Sequence, residues 1–194
     1  MQQAVIFDFG GVLMKTLDYA PRFAWDDRLG LSHGSVERIV HNGDSWVKAQ
    51  TGLITPQAYW ADVAKQLKLD DVSQLAADFY SGDVLDTTLI RLIHDLRAAG
   101  RDVALLSNDS LELKDKLRRL EIDALFDPLI ISAEIGVMKP HPAAYQAVLD
   151  QLKRSAEEAV FIDDRLVNVQ GAEAVGIRGI HYTPNMNLAS ILNA

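Results

Sequence analysis

The sequence predicts an α/β protein: a doubly wound parallel sheet carrying an α-helical cap inserted after the first strand. Five short apolar, β-branched-rich runs predict the sheet, at residues 3–9, 102–106, 128–132, 159–163 and 178–182. Their hydrophobicity is continuous rather than alternating, as expected of strands buried on both faces. Helical patterns separate most of these runs, and alternation of strand with helix generates a parallel sheet. The interval 15–85 breaks the alternation and supplies the cap.

Taken in order, the run QAVIFDF at 3–9 is the first strand. Residues 15–85 contain no convincing strand and read as four or so helices. One of them spans 55–68, with Thr55 as cap, Pro56 opening, and Tyr59, Val63 and Leu67 facing inward. All three tryptophans, Trp25, Trp46 and Trp60, fall in this interval. Trp25 and Trp60 are read as the cap's own core. His41, Asp44 and Trp46 are read as surface or cap core, with contact to a substrate as the alternative.

Past the cap, Leu89, Leu92, Ile93 and Leu96 form one stripe in 86–99, with Asp86 as N-cap and Gly100 as stop. The 110–121 segment carries Leu113, Leu117 and Leu120 on one face. Pro142 suits the first turn of a helix over 142–152, and the helix over 165–175 ends at Gly176. These elements divide the chain into a core domain, 1–14 plus 86–194, and a cap, 15–85.

Composition narrows the function. Of 194 residues, 48% are hydrophobic and 24% charged, the balance of a folded globular protein. A net charge of −8 argues against an extended nucleic-acid surface, which needs clustered Lys and Arg. No run approaches the length of a membrane span, and the first apolar run is too short for a signal sequence. Cysteine is absent, so thiolate chemistry and disulfides are excluded, and a reducing cytoplasm is the expected location. The oligomeric state is left open.

In doubly wound sheets ligands bind beyond the carboxyl ends of the strands. Four polar clusters fall there: Asp8 with Gly10 and Gly11, Ser107 with Asn108, Lys139 in the loop after the third run, and Asp163-Asp164 followed by Asn168. A carboxylate nucleophile divides phosphoester hydrolysis into two steps through an aspartyl-phosphate. Attack of anion on anion needs a cation between them, and Mg²⁺ on oxygen ligands such as Asp8, Asp164 and a backbone carbonyl supplies one. Ser107 and Lys139 suit the phosphoryl oxygens, and Gly10 and Gly11 let backbone N–H groups approach them. Adjacent carboxylates at Asp163 and Asp164 repel and call for a cation or hydrogen bonds.

The ordered set IFDFGGVL at 6–13, LLSN at 105–108, MKP at 138–140 and FIDD at 161–164 resembles the haloacid dehalogenase-like (HAD) superfamily, whose core is Rossmann-like. The resemblance covers the whole chain, with 15–85 matching the family's helical cap. It implies Asp8 as nucleophile and Mg²⁺ ligand and the Gly10 carbonyl as a second ligand. Ser107 and Lys139 would bind the phosphoryl group, and Asn108 adjoins that position. Asp164 would complete the protein ligands, Asp163 would support the metal directly or through water, and Asn168 would orient the site. The implied activity is hydrolysis of a small phosphorylated metabolite.

One residue departs from the pattern. Family phosphatases usually carry a second Asp two residues after the nucleophile, which protonates the leaving group; here it is Gly10. Loss of such an acid costs ~10²–10⁴ in rate for a poor leaving group. A glycine there also occurs in a branch that includes sugar-1-phosphate phosphatases. His141, two residues after Lys139, is read as the cap of the helix opened by Pro142, with a substitute acid as the alternative. Two other functions compete. Dehalogenation by Asp8 needs no Mg²⁺, and the resemblance counts Asp163-Asp164 against it. A non-catalytic phosphate-binding regulator is kept open by Gly10 alone.

Overall fold

A computed structural model describes residues 3–192; residues 1–2 and 193–194 of the expected core domain lie outside the described residues. The chain opens with β1 (Ala4–Phe7) and β2 (Met14–Thr16). Five helices follow: α1 (Ala20–Arg28), α2 (Ser35–Asn42), α3 (Asp44–Gln50), α4 (Pro56–Leu67) and α5 (Ser73–Phe79). Next come β3 (Asp83–Leu85), α6 (Thr87–Ala98), β4 (Val103–Ser107), α7 (Glu112–Arg119), β5 (Leu129–Ile131), α8 (Ser132–Ile135) and α9 (Pro142–Leu152). The chain closes with β6 (Ala159–Asp163), α10 (Leu166–Ala174), β7 (Arg178–His181) and α11 (Leu188–Leu192).

Five strands form one parallel sheet in the order β5-β4-β1-β6-β7. Because successive side chains on a strand point to opposite faces, each strand feeds two cores. Val5, Phe7, Val103, Leu105, Val160 and Ile162 pack on one face against Leu92, Ile93 and Leu96 of α6, Leu113 and Leu117 of α7, and Leu188 of α11. Ile6, Ala104, Leu106 and Phe161 pack on the other against Tyr145, Val148 and Leu149 of α9 and Ala172 of α10. The expected caps hold: Asp86 accepts from the Thr88 and Leu89 N–H groups, and Thr55 from Ala58.

The chain leaves β1 for β4 and β5 on one side, then returns to β6 and β7 on the other. The neighbouring ends of β1 and β6 are therefore the topological switch point, where diverging loops open a crevice.

Residues 15–85 differ from expectation at both ends. β2 and β3 pair antiparallel, with Met14 opposite Leu85 and Thr16 opposite Asp83. At three residues each, these strands are too short for an alternating pattern to register in sequence. Between them, five helices, in keeping with the four or so expected, surround a separate core of Trp25, Val36, Val40, Tyr59, Val63, Leu75 and Phe79. Asp26, fully buried on α1, accepts from the Gly34 and Val36 N–H groups and so caps α2 from a neighbouring helix.

Candidate active site

Asp8 follows β1, Ser107 ends β4 and Asp163 ends β6, so sheet register alone brings them to one edge. Lys139 arrives from the loop before α9 and is buried, against the expectation for an isolated lysine. Its ammonium donates to Asp8 Oδ1 at 2.7 Å, Asp163 Oδ2 at 2.8 Å and the Leu106 carbonyl at 2.7 Å. A buried ammonium needs this complete satisfaction. Burial raises the Asp8 carboxyl above the usual range; Lys139 opposes that shift and Asp163 adds to it.

Asp163 is fully buried, and both its oxygens are engaged. Oδ1 accepts from the Arg165 N–H at 2.8 Å, and Oδ2 from Lys139 and the Asn168 amide at 3.0 Å. Its role is thus to fix Lys139 and the turn carrying Asp164. Asp164 itself is more open, and burial, then the Asp163 charge, raise its carboxyl. Oxygens of Asp8, Asp163 and Asp164 all come within 4.8 Å of one another. Three carboxylates facing one ammonium form a donor set that fits a hard divalent cation.

Gly11 adopts φ +80°, and a Cβ there would lie 2.2 Å from Asp164 Oδ2. No other residue lets the loop after β1 pass this close to that carboxylate. Gly10 is exposed, with nothing within 4 Å of a built Cβ. Asn108 is spent on Lys139: its Nδ2 donates to the Lys139 carbonyl at 2.8 Å, and its Oδ1 accepts from the Lys139 N–H at 2.8 Å. That side chain positions the lysine loop.

Above this edge lies a cleft of about 490 Å³, walled by core residues Phe9, Gly10, Gly11, Asn108, Asp109, Lys116 and Asp164 and by cap residues. His41 and Trp46 line it while packing against Phe79 and Tyr59 of the cap core, and Asp44 lines a different depression on the cap. His141 is exposed, outside the cleft, and accepts from the Ala143 N–H as the cap of α9. The cap is tied down by Gln50 Nε2 donating to the Asn108 carbonyl at 2.8 Å and by Trp60 Nε1 donating to Glu112 at 3.1 Å.

Sequence reading missed the polar cap wall. Arg22, buried on α1, bonds the Phe79 carbonyl, Thr16 and Asp83, and pairs with Glu37 at 3.1 Å. Lys116 pairs with Asp83 at 3.4 Å and lies over the Tyr80 ring. No spacing announces contacts between residues so far apart in the chain. Asp109 was missed by one residue, since the quoted motif ends at Asn108.

Comparison with known proteins agrees with this geometry. The model of the haloacid dehalogenase-like hydrolases matches residues 2–176. The chain is 31% identical over 190 residues to the sesquiterpene phosphatase astK of Aspergillus oryzae, covering 95% of this chain and 91% of that protein. It is 29% identical over 192 residues to a phosphatase of Mycobacterium tuberculosis, covering 90% and 84%. Other curated relatives are longer, and the chain spans 18% and 34% of two of them. Among solved structures, a HAD family enzyme of Bacteroides thetaiotaomicron in complex with magnesium and inorganic phosphate superposes with TM-score 0.82 at 22% identity, covering 98% and 99%. Among the described residues no helix is long and apolar enough to cross a membrane. On the family match, the near full-length relative and the fold together, the chain belongs to the haloacid dehalogenase-like hydrolases.

Proposed function

We propose that this protein is a Mg²⁺-dependent phosphatase that hydrolyses a small phosphorylated metabolite through an aspartyl-phosphate on Asp8. One observation carries the reading: three carboxylates share a site within 4.8 Å while a single buried ammonium serves them. Such a deficit of positive charge calls for a dication, and Asp8, Asp164 and the Gly10 carbonyl are the groups that would hold it. When bound, Mg²⁺ offsets the repulsion between the carboxylate and the phosphate dianion.

The chain's own residues do the rest. Lys139 holds Asp8 in its ionised form and, with the Ser107 hydroxyl, binds phosphoryl oxygens as charge shifts in the transition state. Asp8 attacks phosphorus, the alcohol departs, and water then cleaves the acyl phosphate to release inorganic phosphate and restore the carboxylate. Residues 15–85 act as the lid that excludes bulk water, hinged on the β2–β3 ribbon. A cleft of about 490 Å³ suits a small metabolite. Two relatives of similar length carry the name phosphatase, which supports the same reading.

A screen of phosphorylated metabolites with Mg²⁺, run beside Asp8→Asn, tests it. The wild type should release phosphate from at least one compound, and Asp8→Asn from none. Release that persists in excess chelator, or in Asp8→Asn, overturns the proposal.

A further inference from the structure

Hydrolysis of a phosphomonoester leaves an alkoxide unless a proton reaches the departing oxygen, and Gly10 offers none. Four carboxyl side chains line the cleft besides the one beneath it: Glu37, Asp83, Asp109 and Asp164. Glu37 pairs with Arg22, and Asp83 pairs with both Arg22 and Lys116. Asp164 belongs to the candidate metal cluster. Asp109 alone of the four has neither a cation within salt-bridge distance nor a place in that cluster, among the described residues. Its one hydrogen bond from protein is the Ser110 N–H to Oδ1, at 2.7 Å.

Its backbone is fixed. The buried Ser132 hydroxyl accepts from the Asp109 N–H at 3.0 Å and donates to the Asp109 carbonyl at 3.3 Å. One residue earlier, Asn108 grips both backbone groups of Lys139. Asp109 is thus held two residues from the Ser107 hydroxyl and one residue from the clamp on the phosphate-binding lysine. It faces the same cleft as Gly10.

Resting on the phosphatase reading, we propose that Asp109 is the proton donor to the leaving oxygen, supplying from the end of β4 what Gly10 cannot supply from the end of β1. As the bond from phosphorus to the leaving oxygen breaks and the bond from Asp8 to phosphorus forms, the Asp109 carboxyl proton passes to that oxygen and an alcohol departs. The Asp109 carboxylate then takes a proton from the water that attacks the acyl phosphate, which returns both groups to their starting state.

The charges facing Asp109 permit this. Lys116 and Glu112 approach from α7, Tyr59 and Tyr80 from the cap, and the Ser132 hydroxyl from α8. Burial pushes the Asp109 carboxyl up to about 7, against the Ser110 hydrogen bond and the Lys116 charge. A carboxyl titrating there can give and retake a proton at neutral pH. His41, another titratable group of the wall, is pushed down to about 4 by burial and by Arg22, so at neutral pH it is a neutral imidazole and a poor acid.

The test uses the full chain with Mg²⁺ and two esters of similar size, p-nitrophenyl phosphate and benzyl phosphate. The first releases a stable phenolate unaided; the second needs an acid. In single turnovers, which read only transfer of the phosphoryl group to Asp8, Asp109→Asn should slow benzyl alcohol release by ~10²–10⁴ while p-nitrophenolate release stays near wild type. The fall of benzyl alcohol release in single turnovers as pH rises through about 7 should also vanish in the variant. An unchanged ratio of the two rates, or an equal loss of both, overturns the proton-donor role and leaves the phosphatase reading standing. A wild type that hydrolyses neither ester with Mg²⁺ overturns both.

Discussion

Lys139 in the core and Arg22 in the cap are equally buried, each 3% exposed, and each lies between two carboxylates. Around Arg22 the charges close. Lys116 joins as a second cation, so two cations meet Asp83 and Glu37. Around Lys139 they do not. Asp164 joins as a third anion, and the cluster keeps a formal deficit of two positive charges. A buried network that neutralises itself fastens one part of the fold to another; one left with excess negative charge favours a cation. By that measure the cap network fastens parts of the fold together, and the core network is the one proposed above as the reactive site.

Removing each cation separates the two cases most sharply. Lys139→Met leaves Asp8 and Asp163 buried together, and should lower metal-free stability by about 3–5 kcal/mol in urea unfolding. Excess Mg²⁺ should restore much of that loss. A variant as stable as wild type without metal would show that the carboxylates were never in conflict.

Mg²⁺ itself should discriminate next. At a hundredfold excess over its Kd it should stabilise the wild type by about 2.7 kcal/mol, read as a rise in Tm. Asp164→Asn should abolish most of that rise, whereas Asp83→Asn should keep it despite a lower starting Tm. If both substitutions abolish it, the distinction between the networks fails. Arg22→Met should then cost about 2 kcal/mol through its lost charged hydrogen bonds, with or without metal. Its effect on Mg²⁺ binding should be slight, and a large one would join the two networks into one site.

The smallest effect concerns His41. Its folded pKa of about 4 lies below the unfolded value of 6.5, so between those pH values the unfolded chain binds a proton that the folded chain does not. Stability should therefore fall as pH drops from 6.5 toward 4. Replacing His41 with Gln should flatten that slope by at most about 1.4 kcal/mol per pH unit. An unchanged slope would place the acid sensitivity elsewhere, in the carboxylate clusters.

The same contrast explains what the sequence revealed. Asp8, Ser107 and Asp163 lie at or just past the ends of continuous apolar strands, and a parallel sheet places such ends together whatever the rest of the chain does. Lys139 and Asp164 follow one loop or one residue later. Local pattern and global position coincide there. Arg22, Asp83 and Lys116 meet only through cap packing, across separations of 61 and 33 residues. Nothing local in the sequence marks Arg22 as buried. Strands of three residues at Met14–Thr16 and Asp83–Leu85 escape for a related reason, since their pairing is set by the cap's two exits from the core. Asp109 had a local signal in its adjacency to Ser107-Asn108, which the motif as quoted cut off.

The central claim is that the unbalanced cluster carries the reacting group, and that the group is Asp8. The direct measurement is rapid acid quenching during turnover of p-nitrophenyl phosphate with Mg²⁺, followed by peptide mapping for the phosphoryl group. The account predicts transient phosphorylation of Asp8 in the wild type and none in a folded, inactive Asp8→Asn. A phosphoryl group mapped to any other residue, or undiminished turnover by Asp8→Asn, would contradict it.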